Sequence, residues 1–161
     1  MRREKKRGWM IAVWVLAATV FFWGYQSAFS ADTPLRGESV YVPLYSNIYY
    51  GDREKPFELT ATLSIRNTDT KKEITLISVD YFDSNGNFLK KYVEEPVKLK
   101  KLASTRYIIK SNDKSGGSGA KFIVRWESNE SVNPPLIEAI MISTRSGQGI
   151  SFVSRGLPIK E

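Results

Sequence analysis

The segment Phe57-Glu-Leu-Thr-Ala-Thr-Leu-Ser-Ile65 alternates apolar and polar side chains without a break. A two-residue period puts Phe57, Leu59, Ala61, Leu63 and Ile65 on one side of an extended chain, and Glu58, Thr60, Thr62 and Ser64 on the other. Such a strand needs its dry side covered while its wet side stays in water, which is the habit of antiparallel sheets. The same rhythm recurs in Phe122, Val124 and Trp126 against Lys121, Arg125 and Glu127.

Further short runs, cut by Gly, Pro, Asn, Asp and Ser, extend the pattern. Candidate strands cover residues 39–45, 57–66, 73–82, 88–93, 97–110 with a break near 102–104, 120–127, 136–144 and 149–154. No segment repeats apolar residues at helical spacing with caps, so only one-turn helices are expected. The stretch 67–72 is a polar connection, and Asn85-Gly86 suits a type I′ hairpin turn. Residues 136–142 are apolar on both sides apart from Glu138, which predicts a central strand covered on both faces. Together these features predict an all-β fold, an antiparallel β-sandwich of immunoglobulin or fibronectin type, in one domain over residues 32–159.

A different signal precedes that domain. Residues 9–25 carry no charge and follow five Lys/Arg with a single acid, Glu4. As a helix, those 17 residues would span about 25 Å at 1.5 Å per residue, near the roughly 30 Å of a bilayer core. Small residues at Ala28 and Ser30 fit a signal-peptidase site. Residues 1–30 are thus expected to be a signal peptide or an N-terminal membrane anchor, with a hydrophobic helix that touches the membrane through residues 9–25. Either reading puts the domain in the periplasm or on the extracytoplasmic face of a bacterial inner membrane. With no cysteine in the chain there is no residue to acylate.

Residues 1–30 take with them five of the 24 Lys/Arg and one of the 17 Asp/Glu, so the remainder carries +3 against +7 for the whole. That weak, mixed balance gives no reason to expect nucleic acid as a partner. The densest basic run, Lys98-Leu-Lys-Lys101, reads as the solvated side of strands. The chain contains neither Cys nor His. It therefore lacks a thiolate nucleophile, an imidazole base and the usual nitrogen or sulfur ligands of zinc, copper or iron, and no cofactor is expected.

Several constellations invite chemical readings. Ser115-Gly-Gly-Ser-Gly119 lacks the ending of a phosphate loop and precedes a strand, so it is a flexible connection or a ligand-binding loop. Ser118 and Lys121 have the spacing of a serine–lysine pair, but they lie on an extended chain rather than one helical turn apart. Asp80, Asp83, Asn85 and Asn87 offer oxygens without the calcium-loop spacing. Tyr41, Tyr45, Tyr49 and Tyr50, with Arg53, crowd one segment and suit a peptide, glycan or protein surface.

The segments Val40-Tyr-Val-Pro-Leu-Tyr-Ser-Asn-Ile-Tyr-Tyr-Gly-Asp52, Leu59-Thr-Ala-Thr-Leu-Ser-Ile-Arg-Asn-Thr-Asp69, Val79-Asp-Tyr-Phe-Asp-Ser-Asn-Gly86, Leu102-Ala-Ser-Thr105, Ser115-Gly-Gly-Ser-Gly-Ala-Lys-Phe122, Asn133-Pro-Pro135, Gly149-Ile-Ser-Phe152 and Ser154-Arg-Gly156 resemble, in order and spacing, the bacterial exported family DUF3124. The resemblance implies an envelope location and a single domain, and it transfers no activity, ligand or catalytic residue.

The leading expectation is a non-enzymatic envelope domain that engages a protein or glycan. Its expected binding residues are Tyr41, Tyr45, Tyr49, Tyr50 and Arg53, with the loop Ser115, Gly116, Gly117 and Ser118. One alternative is an assembly accessory that pairs through sheet edges. The other is a carboxylate-dependent hydrolase or calcium-dependent glycan-binding module using Asp52, Asp80, Asp83, Glu127 or Glu138.

Overall fold

The computed structural model describes residues 34–160 except 53, 54, 145, 146 and 148. The described chain is all-β: β1 Leu35–Pro43, β2 Asn47–Tyr50, β3 Lys55–Glu58, β4 Thr60–Arg66, β5 Ile74–Phe82, β6 Phe88–Lys91, β7 Val97–Leu99, β8 Ser104–Ile109, β9 Lys121–Val132, β10 Leu136–Ser143, β11 Ile150–Arg155 and β12 Leu157–Ile159. A one-turn 3-10 helix, Gly117–Gly119, precedes β9.

Three antiparallel sheets result. The largest runs β12-β1-β9-β5-β6 with β7 also on β5, the second runs β11-β10-β4-β8, and β2 pairs with β3 alone. Strand β9 lies between β1 and β5, so the first described strand meets one more than 75 residues later in the middle of the largest sheet. At Gly156 the chain leaves the second sheet for the first. Its N–H donates to the Ile137 carbonyl at 2.8 Å. A side chain there would come within 2.6 Å of Val40, so only glycine allows the step.

The alternation read from the sequence decides which side chains are buried. Leu59, Ala61, Leu63 and Ile65 are fully covered, as are Phe122 and Val124, with Trp126 nearly so. The buried rows of both larger sheets belong to one apolar cluster that also holds Tyr81, Met141 and Leu44. Each fully buried side chain of this kind contributes about 1.5–3 kcal/mol over its exposed state.

Four sequence expectations are modified. The strand expected over 57–66 breaks at Leu59, whose N–H donates to the Ser46 carbonyl at 2.9 Å, so β3 serves the small hairpin and β4 the second sheet. The turn at Asn85-Gly86 is not type I′, because only Gly86 has positive φ. Asp83 instead accepts bonds from the N–H groups of Asn85 and Asn87, which wind the turn the other way. β10 is central in its sheet but covered on one face, since Ile142 is 48% exposed.

The fourth is a correction: among the described residues the expected membrane-spanning helix, and membrane contact through it, is not found. Among the described residues no helix is long and apolar enough to cross a membrane, because their apolar residues alternate along strands instead of running together. The expected helix at residues 9–25, and with it the signal or anchor segment 1–30, lies outside the described residues.

At one end of β4 and β5 a buried amide and a carboxylate organise three connections. The Asn67 carboxamide donates to the carbonyls of Lys72, Leu99 and Lys100 at 2.9, 3.2 and 3.1 Å. The Asp69 carboxylate accepts from the N–H groups of Lys71, Lys72 and Asn133 at 2.8, 2.9 and 3.2 Å. Those N–H bonds, Lys71 foremost, hold its carboxyl below the ordinary 3.8. The β7–β8 turn is fixed on this support, and Leu102 sits in it at φ 57°. For a residue with a Cβ, that left-handed conformation costs about 1–2 kcal/mol.

Two outcomes follow from the packing and the carboxylate. Leu63→Ala should lower unfolding stability by about 2–5 kcal/mol in urea titrations, the cost of a cavity at a fully buried leucine. A lowered folded-state carboxyl stabilises above its unfolded value and loses that contribution as pH falls through the lowered one. Stability should therefore drop as pH falls below about 4, and Asp69→Asn should be less stable at pH 7 with a flatter acid limb.

Candidate functional site

The opposite end of the strands carries the residues singled out in the sequence, and it separates them into two roles. Ser46, 2% exposed, lies with its hydroxyl 3.2 Å from that of Tyr81. Its N–H donates to the Gly117 carbonyl at 3.0 Å, which ties the entry to β2 to the glycine-rich loop. The Gly116 carbonyl accepts from the N–H and the hydroxyl of Ser84 at 3.0 and 2.9 Å, and Ser84 Oγ accepts from Gly119 N–H at 2.9 Å. A Cβ on Gly116 would overlap the Tyr81 hydroxyl. Burial pushes that phenol's pKa upward, so it stays neutral.

The glycine loop is thus a structural tie. Gly116 is buried, Gly117 supplies a carbonyl to Ser46, and Ser115 bonds back to Asp113 in its own loop. Ser118 is half-buried. Glycine is needed here for close approach and, at Gly117, for a φ of 71°.

The tyrosines divide as well. Tyr41 and Tyr45 are half-buried, Tyr45 with its ring 5.7 Å from that of Phe152. Tyr49 and Tyr50 are 58% and 54% exposed on the β2–β3 hairpin, and Arg53 lies outside the described residues. Consecutive residues of a strand point oppositely. Tyr50 falls on the face of Phe57, 6.0 Å between rings, while Tyr49 stands opposite Pro56 on the face that carries Glu58.

Sequence reasoning missed what that second face leads to. Glu58 and Thr60, with Ser111, Ile142, Ser143 and Thr144, line an open depression of about 570 Å³. Lys114 reaches Glu58 at 2.6 Å. Beyond the depression, on the outer side of the second sheet, the register aligns Ile108, Thr62, Ile140 and Val153 across all four strands. Ile108 and Val153 are 50% and 57% exposed. The legible signal was an apolar residue at an outward position, which Ile108, Ile140 and Ile142 each show.

The acids considered for hydrolysis or calcium are dispersed. Asp52 is on the hairpin turn, Glu138 on β10, and Asp80 and Glu127 on β5 and β9. Asp83 is engaged by its own turn, including the Asn87 side chain at 2.9 Å. Arg125 approaches Asp80 to 3.9 Å. Among the described residues no group of three or more acidic, His or Cys side chains is placed to hold a metal ion.

With its three antiparallel sheets and these fixed loops, the molecule is an all-β domain of a family defined by sequence and not by activity. The chain belongs to the family described as "Protein of unknown function (DUF3124)", whose model matches residues 37–159. No curated protein matches the chain. Among solved structures it is similar to "Crystal Structure of Thermotoga maritima 1070", at 10% identity and a TM-score of 0.44, over 74% of this chain and 92% of that one.

The tie at Gly116 is directly testable. Gly116→Ala should separate Tyr81 from Ser46 and destabilise the protein by about 1–3 kcal/mol in thermal or urea unfolding, the usual cost of overpacking. Gly149→Ala, where added bulk meets nothing within 4 Å and φ is not positive, should be close to neutral.

Proposed function

We propose that this protein is a non-catalytic interaction domain acting outside the cytoplasm, and that it engages a protein or glycan of the cell envelope. Its two larger sheets stack as an immunoglobulin- or fibronectin-like sandwich, and its binding face is the outer side of the β11-β10-β4-β8 sheet with the neighbouring β2–β3 hairpin. The observation that carries the reading is continuity. Tyr49 and Glu58 share one hairpin face, Glu58 lines the depression with Ile142, and the row Ile108, Ile140 and Val153 follows on the same sheet.

The chemistry of that face fits recognition. A tyrosine gives large apolar area with a polar tip, and partly exposed isoleucine and valine side chains extend the area. The hydroxyls of Thr60, Ser111 and Thr144 beside the Glu58 carboxylate supply donors and acceptors suited to a peptide backbone or sugar hydroxyls.

A second reading is favoured by β8. It pairs with β4 on one side and forms the end of its sheet, so its other edge offers backbone groups to an added strand.

Photo-crosslinking separates these readings in cells that carry the full chain. A photoreactive phenylalanine at Tyr49 or Ile142 should form adducts with an envelope component, and the same probe at Phe88, exposed on the other large sheet, should not. Tyr49→Ala should weaken capture of that component by at least about tenfold, as expected of an aromatic anchor. Equal adducts from all three positions would remove the proposed face, and adducts formed only from a fourth probe, at Arg106 on β8, would favour edge pairing.

A further inference from the structure

At the end of the domain away from Tyr49, the β7–β8 turn has a combination of features that its place in the fold does not require. Among the described residues Leu102 is the one non-glycine residue with positive φ. Its side chain is 66% exposed, so little of the steric cost of that backbone is recovered by burial within the chain. Gly or Asn would occupy the position with less strain.

The turn is nevertheless held rigidly. Leu102 N–H donates to the Asp69 carbonyl at 3.1 Å, Ala103 N–H to Lys100 at 3.0 Å, and Asn67 N–H to Ala103 at 2.9 Å. From below, the buried Asn67 carboxamide holds the carbonyls of Leu99 and Lys100. An exposed leucine is thus kept in one strained geometry by a buried network.

The exposed charges that adjoin it within the turn have one sign. Lys100 and Lys101 precede Leu102 in the turn and both are exposed. The acids nearby are already engaged: Asp69 by three backbone N–H groups, and Glu73 by Lys98 at 3.1 Å.

We infer that the Lys100–Ala103 turn is a preformed docking post for a protein partner with an apolar recess bordered by carboxylates. A leucine fixed before contact loses little conformational freedom on insertion, which is how preorganisation raises affinity. The two lysines beside it steer an acidic partner and set its register. A fluid anionic bilayer would also attract lysines and leucine, but it gains nothing from a single imposed backbone geometry. A shaped recess does.

The test uses the full chain and a library of disulfide-constrained random peptides. Peptides selected on the wild-type protein should be enriched in Asp and Glu around apolar residues. They should bind Leu102→Gly and Lys100→Glu/Lys101→Glu at least tenfold more weakly, and bind the wild type more weakly as salt rises. The melting temperature of Leu102→Gly should be unchanged or higher, a split between stability and binding that a purely structural leucine would not give.

The inference is overturned if selected peptides lack this composition or bind Leu102→Gly as tightly as wild type. A melting temperature lowered in both Leu102→Gly and Leu102→Asn would also overturn it, by making the leucine structural. Leu102-dependent binding to phosphatidylglycerol vesicles without any selected peptide would assign the turn to a lipid surface instead. Because Tyr49→Ala leaves this turn untouched, its effect on envelope capture and the Leu102 result fail or succeed separately.

Discussion

Everything in the described structure depends on two sheets each having one side that water must not reach. Leu63, Ile65 and Met141 on the second sheet and Tyr81, Phe122 and Trp126 on the first are all buried, and they meet in one cluster. Either sheet by itself would expose that row. Without cysteine there is no covalent staple to substitute for the missing cover. The mutual burial of alternate residues therefore sets register, since a slip of one residue would turn each row outward.

Given that core, the polar groups near its ends serve to fix loops. Asn67 and Asp69 bind the β4–β5, β7–β8 and β9–β10 connections at one end. Ser46, Tyr81 and Ser84 bind the β1–β2, β5–β6 and β8–β9 connections at the other. The result is a domain whose connecting segments are held by specific hydrogen bonds, with apolar residues that escape burial on the outer side of the second sheet, on the Tyr49 hairpin, at Leu102, and at Phe88, Val97 and Leu157 of the largest sheet. Of these, the residues on the second sheet and the adjoining hairpin form the continuous stretch on which the proposed recognition rests.

Much of this was legible in the residues. The alternation at Phe57–Ile65 and at Phe122–Trp126 identified buried rows that the structure shows to be buried, because burial follows a local period. The break at Leu59 was not legible, since it comes from a long-range bond to Ser46. Nor was the meeting of β1 with β9, which no local pattern encodes. The glycine loop reads from sequence as a flexible connection or a binding loop, but its role as a tie depends on Tyr81 and Ser84, far away in sequence. The tyrosine segment reads from sequence as one cluster, whereas strand geometry sends Tyr49 and Tyr50 to opposite faces. The depression at Glu58 and Ile142 combines β3, β4, β10 and the β8–β9 loop, so no window of sequence contains it.

Native-state amide hydrogen exchange tests the shared core most directly. If the two sheets are held by one apolar cluster, the slowest amides of β4 and β10 should exchange only through the same global opening as those of β5 and β9, with matching free energies and denaturant dependence. The β2–β3 hairpin and β12 should exchange earlier. If β4 and β10 instead lost protection in a separate opening of much lower free energy while β5 and β9 stayed protected, the two sheets would not depend on each other, and a single shared core would be contradicted.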